Sequence, residues 1–314
     1  MIKRFLVKGA LMLLTFFCAS NVFAETEEDK CFNAFNELRG SYLKAENQMT
    51  VGVSNSSGMT LHRLLHIYKD NKSISYWENL NGEIRGYALK GDVGFDFNQD
   101  KEYAGPLTWH QTLIWDRLFN PDTKLNGFSC VLTGRTRVAG QRVSLIRLAP
   151  KDSYRYGYLI AKDDVSAMPV ELAVLSPNSG IISIITVNSA SPVDGLNLDL
   201  SVFDNLNGHN SSDNKEDTNT FTKIWPELNI PKEYKLVETG EIEDNGVLVP
   251  YQLFSDGLTT FRVYKNAKTS VVIPALTNGT ISILRKNSGD YEYAVVGEIP
   301  ILFAESVLSE LPRS

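Results

Sequence analysis

Only three cysteines and four histidines occur among the 314 residues, and the 31 lysines and arginines are outnumbered by 37 aspartates and glutamates. The deficit of basic charge argues against nucleic acid as a partner, because phosphate backbones are bound by cationic surface. Catalytic signatures are also missing: there is no G-x-S-x-G elbow, no H-E-x-x-H, no phosphate-binding glycine loop and no Cys-x-x-Cys. His62 and His66 stand four apart, a spacing that would put two zinc ligands on one helix face. The alternation around them predicts a strand, however, and no Glu lies between them, so they read as half-exposed strand histidines. Asp92 and Asp96 likewise fit a solvated strand face better than an acid–base couple. The expectation is a protein that is not an enzyme and uses no cofactor.

A second long apolar run is lacking as well. The one near the start, Ala10 to Phe17, follows Lys3, Arg4 and Lys8 and precedes Val22-Phe-Ala24, the pattern of a secretory signal over residues 1–24. Cys18 lies where a lipidation site would, but Phe16 and Phe17 are too bulky for the small-residue approach that site uses. Removing the three basic residues of the leader leaves a mature chain near −9, which is expected to be soluble in an exported compartment. Two cysteines remain there, Cys31 and Cys130. A bridge would tie the first helix to the central sheet, but free cysteine is also commonly buried, and spacing alone leaves both readings open.

The densest strand signal runs from Phe128 to Val187. Val143 and Leu145, then Tyr154, Tyr156, Tyr158 and Ile160, then Val170, Leu172 and Val174, then Ile181, Ser183, Ile185 and Val187 each recur at two-residue steps. Ala139-Gly140, Asp163-Asp164 and Ser176-Pro-Asn-Ser-Gly180 punctuate them as reversals, which predicts an antiparallel meander. Upstream, Cys31, Ala34, Phe35, Leu38 and Tyr42 form one stripe of an amphipathic helix ending near Gly40 or shortly after. Strands follow from Met49 onward, and Gly105-Pro106 precedes a second helical stripe, Trp109, Leu113, Ile114 and Leu118, closed by Asn120-Pro121. Residues 25–203 are therefore expected to form a half-open, strongly curved antiparallel barrel of nine or ten strands, with two helices inside it or across its mouth.

Residues 204–222 are almost wholly polar, as a linker would be. Residues 223–314 read as a small α+β domain of about five strands, closed by a helix that Pro300 opens and that carries Phe303, Val307, Leu308 and Leu311. The chain is thus mainly β with some α, in two domains. Aromatic bulk in the first suggests an apolar cavity walled by Trp77, Phe95, Phe97, Trp109 and Tyr156. In a strand, Arg135 and Arg137 share a face, which is either simply solvated, ion-paired to Glu171, or reading a carboxylate on the partner or a lipid phosphate. Tyr251 and the Ser255-Asp256-Gly257 turn are expected to expose a strand edge to a partner segment.

Several blocks carry a family likeness: Gly134-Arg-Thr-Arg-Val-Ala-Gly-Gln-Arg-Val143, Tyr154-Arg-Tyr with Tyr158 to Ala161, Met168-Pro-Val-Glu-Leu172, Tyr251 with Leu253-Phe254-Ser-Asp-Gly-Leu258, and Val295-Val-Gly-Glu-Ile-Pro300. In these the chain resembles the periplasmic sigma-E regulatory proteins of the RseB/MucB family; from Asn55 to Lys124 only the general strand order follows it. The resemblance implies a first domain similar to the lipoprotein carriers LolA and LolB. It also implies a periplasmic negative regulator that binds the periplasmic part of an RseA-type anti-sigma factor and shields it from proteolysis. Lipopolysaccharide or lipoprotein acyl chains would release the block, and a homodimer is compatible with it. The alternative is a periplasmic lipid or lipoprotein carrier, which would have no need of residues 223–314.

Overall fold

The computed structural model describes residues 25–91, 93–98, 103–108, 112–193, 225–270 and 275–312. The readings of a signal over 1–24 and a linker over 204–222 lie outside them. Helix α1 (Glu27–Leu43) starts at a capping box in which the Thr26 hydroxyl accepts from the Asp29 amide at 3.0 Å and the Asp29 carboxylate accepts from the Thr26 amide. Three acids in its first turn suit the positive end of the helix dipole. Its buried face is Cys31, Phe35, Leu38, Arg39 and Tyr42.

Among the described residues, eleven antiparallel strands of one sheet follow: β1 (Asn47–Asn55), β2 (Gly58–Lys69), β3 (Lys72–Asn79), β4 (Gly86–Lys90), β5 (Val93–Phe97), β6 (Tyr103–Thr108), β7 (Phe128–Val138), β8 (Gln141–Pro150), β9 (Gly157–Asp163), β10 (Pro169–Leu175) and β11 (Ile181–Pro192). Their order is β6-β5-β4-β3-β2-β1-β11-β10-β9-β8-β7. Two meanders therefore join where β1 meets β11, with Val51 opposite Val187, while β6 and β7 remain as separate edges. The barrel is half open, as its sequence indicated.

One strand more than the upper expectation is present because residues 103–108 form β6. Pro106, read as a helix opener, sits instead on an edge strand, where a missing amide is tolerated. Helix α2 is correspondingly short, Ile114–Phe119. Tyr154 and Tyr156 also depart from expectation: they precede β9 rather than belonging to it. Helices α1 and α2 pack on one face of the curved sheet. Phe35, Leu38, Tyr42, Trp115, Leu118 and Phe119 join Met49, Leu64, Ile146, Leu148, Tyr158 and Ile160 in one core. Arg39 locks the two helices together, its Nε and Nη2 donating to the Leu118 carbonyl at 3.0 and 2.8 Å and its Nη1 to that of Thr123 at 3.0 Å. Smaller apolar clusters lie elsewhere on the sheet, among them Val143, Ala161 and Val170.

A second antiparallel sheet has the order β12-β13-β14-β17-β16-β15, with β12 (Lys235–Asp244), β13 (Val247–Ser255), β14 (Thr260–Ala267), β15 (Leu276–Asn278), β16 (Ile281–Ser288) and β17 (Tyr291–Gly297). The strand missing from the sequence reading is β15, three residues long. Helix α3 (Ile301–Val307) covers one face of this sheet, with Pro300 as its N-cap. Phe303, Ala304 and Val307 meet Tyr234, Phe254, Phe261, Val263 and Val295 in a separate core.

Candidate partner-binding site

Of the five aromatic residues expected to wall one cavity, the four that are described do not stand together. Trp77 pairs across strands with Leu64 and Tyr87, on the sheet face that carries the helices. Its indole donates to Asp116 Oδ2 at 2.9 Å, and the Tyr87 hydroxyl donates to the same atom at 2.6 Å. Burial pushes the Asp116 carboxyl up to about 6, against the pull of these hydrogen bonds and of Arg117. Phe95 and Phe97 lie on the opposite face, because Phe95 pairs with Ala88 and Ala88 with Tyr76, one residue along from Trp77. Phe97 stacks on Tyr76 at 4.8 Å. Trp109 lies outside the described residues. On the helix-bearing face the curve of the sheet is filled by α1 and α2, with Trp115 and Phe119 edge to face at 4.7 Å.

Cys31 and Cys130 are bridged, with Cα atoms 5.5 Å apart, so α1 is stapled to β7 across a sequence separation of 99 residues. His66 corrects another expectation: it is buried rather than half exposed. Its Nδ1–H donates to the Ala45 carbonyl at 2.8 Å and its ring lies 4.2 Å from that of Tyr42. Burial lowers its pKa to about 4. His62 is half-buried, as expected, and Asp96 is exposed; Asp92 lies outside the described residues.

The Ser255-Asp256-Gly257 turn is not an open edge. β13 lies between β12 and β14, and the turn is pressed against the first sheet. Gly257 supplies the positive φ of +91° that the reversal requires. Asp256 Oδ1 accepts from the Leu258 and Thr259 amides at 3.0 and 2.8 Å, while its Oδ2 accepts from Arg155 Nε at 2.6 Å. Arg155 also pairs with Asp152, and Gly127 leaves room for it, since a Cβ there would stand 2.7 Å from Nη1. Beside this pair the Tyr156 hydroxyl donates to the Ile299 carbonyl at 2.8 Å and Tyr154 meets Phe303 at 5.0 Å between ring centroids. Arg117 of α2, 1% exposed, pairs with Glu298. The two sheets are thus joined by buried ion pairs that sequence reading missed. Its one cue was a cation, Arg155, set inside an aromatic ladder.

Between the sheets lies a cleft of about 240 Å³, lined by Thr112 from the first unit and by Leu253, Thr260, Arg262, Tyr264, Ile281, Val296 and Glu298 from the second, among others. Tyr251 lies nearby, its hydroxyl donating to Glu238 and its ring 4.9 Å from the Arg262 guanidinium. Burial, with Glu238 adding to it, pushes the Tyr251 hydroxyl up to about 12.

Arg135 and Arg137 are exposed on β7, an edge strand that also bares Val131 and Leu132. Arg135 approaches Asp164 at 3.9 Å, not Glu171, which accepts from Thr186 at 3.0 Å three strands away. Arg137 Nη1 donates to the Gly140 carbonyl at 3.2 Å. This edge joins cationic, apolar and unpaired backbone groups in one strip, the chemistry of strand addition.

Residues 35–195 match the family model of the MucB/RseB N-terminal domain, and residues 221–312 that of the MucB/RseB C-terminal domain. The sigma-E factor regulatory protein RseB of Haemophilus influenzae is 25% identical over 320 residues, covering 96% of this chain and 95% of that protein. The complex structure of Pseudomonas aeruginosa MucA/MucB matches with a TM-score of 0.64 at 17% identity, covering 88% of this chain and 96% of that one. A crystal structure of MucB in complex with MucA(peri) matches at 0.61 and 15% identity, with the same coverage. At these identities the structural likeness is one of fold.

Proposed function

The chain belongs to the MucB/RseB family, and on that footing we propose that it binds the periplasmic part of an RseA-type anti-sigma factor and thereby restrains the sigma-E envelope stress response. Bound partner is shielded from regulated proteolysis, which makes the chain a negative regulator acting in the periplasm. The observation that carries this reading is the match of both family models in order along one chain, with the fold shared by a protein solved together with MucA(peri). Among the described residues, no helix is long and apolar enough to cross a membrane. On chemical grounds the β7 edge with Arg135 and Arg137 is proposed as one surface that meets the partner.

The finer part of the proposal is release by an acyl chain of lipopolysaccharide or lipoprotein. Such a chain would have to displace packed aromatic side chains of α1 or α2, and each buried methylene contributes about 0.8 kcal/mol toward doing so. Coupling between the two ligands must then be reciprocal. The test is calorimetric titration of the purified chain with the periplasmic domain of its anti-sigma factor, with and without lipid, alongside protection of that domain from its site-1 protease. Absence of binding sinks the reading as a whole. Equal lipid affinity with and without the partner removes only the release step.

A further inference from the structure

The cleft between the sheets contains a half-buried cation with one donor left unmade. Arg262 Nε is buried without a hydrogen-bond partner, and among the described residues no carboxylate pairs with the guanidinium within 4.0 Å. What faces it is the ring of Tyr251 at 4.9 Å. Buried donors left unmade are uncommon and cost stability, so a folded chain that keeps one invites the question of what completes it. Arg117, whose Nη2 pairs with the lining residue Glu298, leaves its Nε and Nη1 unsatisfied as well.

Size and lining narrow the occupant. About 240 Å³ is smaller than the roughly 300–1,000 Å³ of ordinary small-molecule pockets, which suits one or two inserted side chains better than a cofactor or an acyl tail. The walls offered by Leu253, Ile281 and Val296 are apolar. Glu298 lines the cleft too, but its charge is matched by Arg117 and so does not repel an incoming anion. Glu238 is engaged by the Tyr251 hydroxyl. What is left over is one positive charge set in an apolar wall.

We infer that this cleft receives a short apolar segment of the protein partner and that Arg262 pairs with a carboxylate carried by that segment. The inference rests on the anti-sigma reading above. A guanidinium presented with a free Nε–H suits a carboxylate, and exclusion of water from the cleft strengthens the pair. Because Thr112 comes from the first unit and the other named lining residues from the second, the occupant contacts both at once.

The experiment uses the full mature chain and the purified periplasmic domain of its anti-sigma factor. No binding by the unaltered chain defeats the underlying reading rather than this one. Given binding, Arg262→Met is expected to raise Kd at least about thirtyfold, the scale for truncating one side of a buried charged pair. Val296→Phe, which fills the cleft and keeps the charge, is expected to weaken binding at least about tenfold, and it reads the same site should Arg262→Met fail to fold. Each Asp and Glu of the partner is then changed to Asn or Gln. One of them should weaken binding to the unaltered chain by a factor similar to that of Arg262→Met, yet add nothing when the two changes are combined. Unchanged affinity in both chain variants, or strict additivity for every partner carboxylate, overturns the inference.

Discussion

Arg155 Nε donates to Asp256 Oδ2 at 2.6 Å, and the two side chains, 5% and 3% exposed, come from loops of different sheets, Arg155 just before β9 and Asp256 just after β13. A buried pair of this kind contributes little net stability compared with an apolar replacement of both partners, but breaking it from one side strands a charge. Arg155→Met is therefore expected to cost about 3–5 kcal/mol. It should also uncouple the sheets, so that denaturant unfolding followed by tryptophan fluorescence and by far-UV circular dichroism no longer coincides. A loss under about 1 kcal/mol with coincident transitions would show that the junction is held by Tyr156 and Phe303 instead.

The Cys31–Cys130 bridge closes a long loop and ties the helix that fills the curve of the sheet to the edge strand β7. Removing it as Cys31→Ser with Cys130→Ser should lower unfolding free energy by about 2–5 kcal/mol, largely by freeing the unfolded chain. Both cysteines are buried, so mild reductant should leave the folded protein unchanged and act only once denaturant is present. The check is a denaturant titration with and without a phosphine reductant, compared with the double variant; superimposable curves for all of them would contradict it.

Arg135 and Arg137 stand on the exposed part of β7, where surface ion pairs contribute little. Replacing both with Gln should leave Tm within about 2 °C, since surface changes are small in free energy. Partner association should slow and lose much of its salt dependence, as expected when steering charge is removed. Stopped-flow measurement at two ionic strengths is the test. A large fall in Tm with unchanged association would assign the pair to structure.

How much of the fold is legible in the sequence depends on parity and register. Strands such as β2 and β11 announce themselves through alternation and turn residues, and the α1 stripe through its 3.6 period. Whether Trp77 and Phe95 share a face cannot be read that way. Each strand shows its own two faces, but only the pairing of Trp77 with Tyr87 and of Phe95 with Ala88 sets one strand's faces against the next. β6 was hidden because Pro106 has the same local chemistry at a helix start as on a sheet edge. The Ser255-Asp256-Gly257 turn is legible as a turn, while its burial depends on Arg155, 101 residues distant in sequence.

Asp116 and His66 both line a small cavity beside Tyr42, and their titrations oppose each other. Asp116 has its carboxyl raised from 3.8 to about 6 by burial, so the folded state holds the proton more tightly; the stability this gives is complete below about pH 4 and is lost as pH rises to about 6. His66, lowered from 6.5 to about 4 by burial, stays neutral when folded, and stability is lost as pH falls through that interval because the unfolded chain takes up the proton. Each effect amounts to about 3 kcal/mol at its limit, so across pH 4 to 6 the two nearly cancel. Asp116→Asn, which can still accept from Trp77 and Tyr87, should therefore expose the histidine effect, with unfolding free energy rising with pH across the interval. His66→Gln, which keeps a donor for the Ala45 carbonyl, should show the reverse slope. Urea titrations from pH 4 to 6.5 on the three proteins provide the measurement, and parallel pH profiles for all of them would rule out a pair of opposed buried titrations.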